Sequence, residues 1–237
     1  MDSFLDRTMS LEIYAAAFWI VAIISIILQD RKAESGVTKV ATPTTFVKFL
    51  PTLSAAIFVL LFRPPTLFTI LLAAALVLCT LGDIGMEIDL VPGIGMFLLA
   101  HILYTTNFLW QSSVTGLTTI PIVLASVCMI VGILYVVMLI RYLKSSGPEI
   151  PPFILKAGTL YFIIIAATFS ATVLLWQTTG AVLGYLPIIG ALIFIISDSF
   201  IGINEFHHKI SHHEFYIMPT YYLAIFLLSL GVFVFAM

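Results

Sequence analysis

Apolar runs of about twenty residues recur along this chain, each closed by a short polar or proline-containing stretch, and this recurrence constrains the fold most. A helix needs about 20 apolar residues to cross a bilayer core. Runs of that kind lie at 10–28, 44–62, 66–86, 92–110, 119–141, 153–176, 182–203 and 216–236. The expected fold is therefore all-α, a polytopic transmembrane bundle of eight helices, with residues 1–237 forming a single transmembrane domain. The punctuation agrees. Arg63-Pro64-Pro65 parts the second run from the third, and Gly147-Pro148-Glu149-Ile150-Pro151-Pro152 parts the fifth from the sixth. Val91-Pro92-Gly93 opens the fourth, and Thr179-Gly180 leads towards the seventh.

Composition excludes the soluble alternative. Hydrophobic residues make up 61% of the chain and charged residues 9%, whereas a soluble domain carries about 25% charged residues to cover itself against water. A net charge of −2 without a basic cluster gives no footing for nucleic acid. Cys79 and Cys128 both sit in apolar runs and read as small buried hydrophobes; they form neither a disulfide framework nor a CxxC metal site. At the N-terminus Asp2 and Asp6 outnumber Arg7, and the run that follows is long enough to span, so no cleaved signal is expected.

Basic residues give an orientation. Arg31, Lys32 and Lys39 follow the first run, Arg141, Lys144 and Lys156 flank the gap after the fifth, and Lys209 follows the seventh. The other side offers Arg7 and Arg63. By the positive-inside rule the odd-numbered loops are expected to be cytoplasmic, with both termini on the opposite side. Lys48 and Lys156 open the second and sixth runs, while Gly82-Asp83 and Ser197-Asp198 close the third and seventh. Pairs four helices apart suggest a four-plus-four duplication.

An ionisable group in hydrocarbon costs at least about 2.5 kcal/mol, so each one needs a partner or a task. Lys48, Asp83, His101 and Asp198 fall inside the runs, with Tyr104, Asn107, Tyr161, Tyr221 and Tyr222 as polar companions. Under the orientation above, Lys48, Asp83, Asp198, Tyr221 and Tyr222 fall in the cytoplasmic half, and His101 and Tyr104 reach nearest the midplane. That distribution fits a single site open to the cytoplasmic leaflet. His101 and Tyr104 share a helix face, as do Asp198 and Gly202. Plainer readings stand beside this one. An aspartate alone would serve as a structural partner for Lys48, His101 as a satisfied core histidine, Lys48 as a snorkelling side chain, and the tyrosines as interfacial belt residues. Glu87, Asp89 and Glu205 fall at helix ends and are expected to be solvated. In the stretch His207–His213, His208 and His212 would bind a metal if that segment were helical; a cationic loop touching lipid head groups is the reading preferred.

The motifs also resemble a known family. Leu81-Gly82-Asp83-Ile84-Gly85-Met86, then Ala100-His101-Ile102-Leu103-Tyr104, Phe194-Ile195-Ile196-Ser197-Asp198 and Thr220-Tyr221-Tyr222 are similar, in order, to elements of the YhhN, or lysoplasmalogenase, family. Lys48 falls at that family's Lys-Pro-Leu element. Phe49 replaces its proline, and Ile225 stands where the family usually has glutamine.

The resemblance implies an eight-helix hydrolase that cleaves the vinyl ether of a lysoplasmalogen, releasing a fatty aldehyde and a glycerophospho-base. Its partners would be the lysophospholipid substrate and the bilayer, with no cofactor. A vinyl ether is protonated on carbon, and water then adds to the oxocarbenium ion. A neutral carboxylic acid delivers the proton and an ionised carboxylate takes one from water. Asp83 and Asp198 are the expected catalytic pair, with His101 and Tyr104 orienting a carboxylate or the water, and Lys48, Tyr221 and Tyr222 binding the phosphate or a carboxylate. The rival reading is a transporter or proton-coupled permease using the same Asp, His and Lys groups. A retinal-type receptor fails because the last run lacks lysine.

Overall fold

The computed structural model describes residues 2–36, 43–146 and 149–235; Lys39, Gly147, Pro148 and the side chains of Asp2, Asp6 and Arg7 lie outside that description. The described residues are helical throughout apart from short connections. The helices are α1 (Asp2–Glu34), α2 (Pro43–Phe62), α3 (Leu67–Ile88), α4 (Leu90–Thr115), α5 (Thr119–Ser146), α6 (Pro152–Thr179), α7 (Tyr185–Phe206), α8 (Glu214–Ser229) and α9 (Gly231–Phe235). Eight spans are long and apolar enough to cross a membrane, α8 and α9 together forming the last, Glu214–Phe235. The protein is an integral, multi-pass membrane protein, as the sequence predicts.

Several helices run further than their apolar runs. α1 continues to Glu34 rather than residue 28, and α5 to Ser146 rather than 141, which places Arg31, Lys32 and Lys144 in last helical turns. Basic side chains there complement the partial negative charge of a helix C-terminus, so the helices extend beyond hydrocarbon. Pro51 and Pro219 lie inside α2 and α8 without ending them. The expected four-plus-four duplication is not established: Lys48 is mostly buried beside Glu87, whereas its sequence counterpart Lys156 is exposed.

Close backbone approach sets the helix pairs that matter for the site. One residue, Asp89, joins α3 to α4: its N–H bonds Gly85 O as the end of α3, and its side chain accepts from Val91 N as the N-cap of α4. The tight turn presses the two helices together, and a Cβ built on Gly85 would lie 2.8 Å from Gly93 N. Similarly, a Cβ on Gly190 would lie 3.0 Å from Ala224 O, where α7 meets α8. Small residues of this kind suit helix pairs in lipid, where packing rather than water exclusion drives association. α5 is the peripheral helix, with Ile120, Ile130, Leu134 and Met138 exposed as a lipid-facing surface requires.

Overpacking at such a contact typically costs about 1–3 kcal/mol. Gly85→Val is therefore expected to lower the thermal unfolding midpoint of the purified protein, or prevent its recovery. Gly158→Ala, where a Cβ meets nothing within 4 Å, is expected to leave the midpoint unchanged or slightly raised. Equal destabilisation by both would remove the close-packing argument.

Candidate active site

Two residues one turn apart on α3, Asp83 and Glu87, face the same way and meet partners from other helices. Asp83 Oδ2 accepts hydrogen bonds from Thr52 Oγ1 on α2 at 2.9 Å and Tyr221 OH on α8 at 3.0 Å. Glu87 Oε1 accepts from Lys48 Nζ at 2.9 Å, and Oε2 from Lys32 Nζ on α1 and from Thr45 Oγ1 at 3.1 Å. Glu87 was expected to be solvated, but its side chain is only 9% exposed. Two lysines converge on it, so removal from water is matched by charge and by hydrogen bonds. On α7, Asp198 Oδ2 accepts a hydrogen bond from Tyr161 OH of α6.

These groups surround a polar chamber. Lys48, Asp83, Glu87, Asp198, Tyr221 and Glu214 are among its lining residues, and about 300 Å³ of it is wide enough for water. Phe97, Phe194 and Tyr221 pack edge to face, with centroids 5.6–6.1 Å apart, and carry an aromatic wall between α4, α7 and α8. Gly82 makes room for this wall, since a Cβ there would lie 2.9 Å from the Phe97 ring. A second cavity, apolar and narrower, adjoins the chamber. It lies among α5, α6 and α7 against α4, takes in Asp198, Tyr161 and Phe97, and has a volume of about 60 Å³.

The structure thus brings Lys48, Asp83, Asp198 and Tyr221 to one chamber. His101, Tyr104 and Tyr222 line neither cavity. His101 is fully buried; its Nδ1 lies 3.1 Å from Thr168 Oγ1, and its ring meets Phe194 edge to face at 4.4 Å. Its Nε2 has no hydrogen-bond partner among the described residues. Tyr104 OH lies 3.9 Å from Cys79 Sγ. Tyr222 OH donates to Lys48 O at 2.7 Å; having only one proton, it must accept from Ser25 Oγ at 2.7 Å. Ser197 Oγ donates to Ile217 O at 3.1 Å and ties α7 to α8. Ile225 is fully buried and lines neither cavity.

Thr52 and Glu87 were missed as site residues, although each lies four residues from a candidate, Thr52 from Lys48 and Glu87 from Asp83, and so shares its face. Tyr161 had no local signal that paired it with Asp198.

The His207–His213 segment is not a regular helix, so the spacing argument for His208 and His212 fails. His207 stacks on Tyr142 at 4.2 Å. His212, in a left-handed backbone conformation at φ 50°, places Nδ1 3.0 Å from Asp30 Oδ2 and 3.9 Å from Glu34 Oε1. Asp30, Glu34 and His212 form the one trio, among the described residues, whose donor atoms all lie within 4.8 Å of one another. A protonated imidazole pairs with Asp30 and lies within reach of Glu34, so the trio reads as an ion-pair contact.

An eight-helix membrane protein with two aspartates from different helices facing one polar chamber is the class that fold and site define. The chain belongs to the YhhN family, whose family model matches residues 44–232. It is 29% identical over 189 residues to lysoplasmalogenase TMEM86B of Homo sapiens, covering 78% of this chain and 73% of that protein. The Sus scrofa lysoplasmalogenase TMEM86B is 29% identical over 190 residues, covering 78% and 74%. No solved structure matches.

The hydrogen bond from His212 to Asp30, with the charges of Asp30 and Glu34, raises the His212 pKa above its ordinary value. The tether between α1 and this loop is therefore fully present below about pH 6.5 and is lost as pH rises through the raised value. The imidazole shift followed by NMR is expected to titrate above that reference, and Asp30→Asn is expected to bring it down. An unaltered titration in Asp30→Asn would refute the pairing.

Proposed function

We propose that this protein is a lysoplasmalogenase, hydrolysing the vinyl ether bond of a lysoplasmalogen to a fatty aldehyde and a glycerophosphocholine or glycerophosphoethanolamine. The observation that carries this reading is that Asp83 and Asp198 both line one chamber with room for water. The relatives' name, lysoplasmalogenase, supplies the bond.

The two aspartates have different surroundings, and the roles proposed follow from them. Asp198 takes a single donor, Tyr161, and borders the apolar cavity, which suits a neutral acid. Asp83 takes two donors and shares the chamber with the Lys48 ammonium, which suits a carboxylate. Asp198 delivers its proton to the chain-side carbon of the vinyl ether, giving an oxocarbenium ion. Asp83 stabilises the cation and takes a proton as water adds, forming a hemiacetal. In the collapse, Asp83 returns that proton to the departing glyceryl oxygen, and the hemiacetal hydroxyl proton passes to Asp198. Both groups are restored and one water is consumed. Lys48 and Tyr221 are the groups placed to meet the head-group phosphate. Tyr161 positions Asp198, and His101, Tyr104 and Tyr222 act in this reading through packing.

Two features favour hydrolysis over transport. The chamber lies at one end of the bundle, and fully buried Leu72, Leu76, Tyr104 and Phe108 fill the next layers of α3 and α4. Arg31, Lys32, Lys144 and Lys209 lie at that same end, which we read as cytoplasmic, with both termini on the opposite side.

The test is aldehyde release by the purified protein from a vinyl-ether lysophospholipid, beside its acyl and alkyl-ether counterparts. Only the vinyl ether is expected to react. In heavy water, with the aldehyde trapped at once by borohydride, the product is expected to carry one deuterium on the carbon next to the former carbonyl, since protonation occurs there. Asp83→Asn and Asp198→Asn are each expected to lower kcat about 10²–10⁴-fold in folded protein, and Tyr161→Phe by less. Absence of the deuterium, or near-normal turnover in both Asn variants, would exclude the mechanism.

A further inference from the structure

The apolar cavity needs an occupant of its own. It is separate in character from the chamber and adjoins it, for both are bounded by Met86, Leu90, Phe97, Asp198 and Ile201. Its volume is about 60 Å³, small beside the pockets of about 300–1,000 Å³ that enclose a whole drug-sized ligand. The space is therefore slim, of a size for part of one chain.

Two glycines on its walls leave the space open where a larger residue would narrow it. A Cβ on Gly158 of α6 would meet nothing within 4 Å, and a Cβ on Gly202 of α7 would meet only Leu143 Cδ1, at 3.5 Å. Glycine in a helix interior costs roughly 0.5–1 kcal/mol relative to alanine. Gly82, Gly85 and Gly190 repay that cost through contacts of 2.8–3.0 Å that would exclude a Cβ. Gly158 and Gly202 have no such contact, and both border the cavity. Gly202 also lies one turn beyond Asp198 on the same helix face.

We propose that this cavity among α5, α6 and α7 binds the single hydrocarbon chain of the substrate, with Gly158 and Gly202 setting the chain that fits. The proposal rests on the lysophospholipid reading above. It places the chain's first carbons beside Asp198 and Tyr161, the groups shared with or bordering the chamber, while the head group lies in the polar space. In a vinyl ether the reactive carbons are those first chain carbons. The bond to be protonated therefore sits where slot and chamber join. A slot for one slim chain also explains selection of a lyso lipid: a second chain would have to enter the polar chamber.

The test uses the full-length protein in nanodiscs and a non-cleavable alkyl-ether lysophospholipid carrying a mid-chain diazirine. After irradiation, label is expected on Leu139, Leu143, Ile154 or Phe162, and unlabelled hexadecyl lysophospholipid is expected to compete it away. Gly158→Leu and Gly202→Leu are each expected to weaken that competition about tenfold, equivalent to about two methylenes kept from the slot. The octyl analogue should lose less. With vinyl-ether substrates the leucine variants should raise KM for the long chain more than they lower kcat. Label confined to outward faces such as Ile13 and Ile20, or competition unaltered in both leucine variants of normal thermal midpoint, overturns the proposal. The two readings fail separately. Competed label in the slot without aldehyde release would sink the hydrolase reading and keep the chain site, and aldehyde release with uncompeted label would do the reverse.

Discussion

A carboxylate inside a bilayer is cut off from bulk water, so donors from other helices must take over much of its solvation. That constraint ties this bundle together at its functional end. Asp83 draws on α2 and α8, Glu87 on α1 and α2, and Asp198 on α6. Three acidic side chains on α3 and α7 thereby engage α1, α2, α6 and α8. Removing one carboxylate would leave buried donors, and at Glu87 two lysines, without an acceptor, which is costlier than losing an exposed ion pair. The site is therefore part of what holds the helices in register.

The aspartates look alike in sequence, each preceded by a small residue near a helix end, but they occupy different surroundings. Asp83 lies in the polar part of the chamber beside Thr52, Tyr221 and Lys48. Asp198 stands on the boundary, with polar space on one side and an apolar wall on the other. Asymmetry of this kind allows two chemically identical groups to take opposite protonation states. Glu87 adds to it by holding Lys32 and Lys48 in place, so that a cationic edge persists where the chamber is otherwise rich in carboxylates.

Much of this was legible because hydrocarbon is a strict solvent. The eight spans follow from run length, and the intramembrane aspartates stand out because charged side chains are rare there. What failed was information that crosses between helices. Glu87 sits at the end of its apolar run and reads as solvated; Lys32, brought near by the extension of α1, joins Lys48 and Thr45 in making it a buried acceptor. Tyr161 carries no sequence mark of its link to Asp198, thirty-seven positions away. His101 and Tyr104 were placed with the aspartates by depth, but depth does not fix azimuth. The α4 face that carries them meets Thr168, Phe194 and Cys79 rather than the chamber. Tyr221 and Tyr222 show the same limit, because adjacent helix positions point about 100° apart, and only Tyr221 reaches the chamber.

The glycines extend this argument to the empty space itself. Helices in lipid gain no hydrophobic drive from packing, so close contacts through small residues are the usual reason for glycine. Gly82, Gly85 and Gly190 follow that rule, and the contacts they permit fix the aromatic wall and the α3–α4 and α7–α8 pairs. Gly158 and Gly202 break it, and they do so beside an unfilled apolar slot. A bilayer has abundant chains to fill such a slot, so the space persists as a place for exchangeable hydrocarbon. Where it meets the wet chamber, an amphiphile would have its polar and apolar halves separately satisfied and its junction held against Asp198. Chemistry at that junction requires neither half to leave its own solvent.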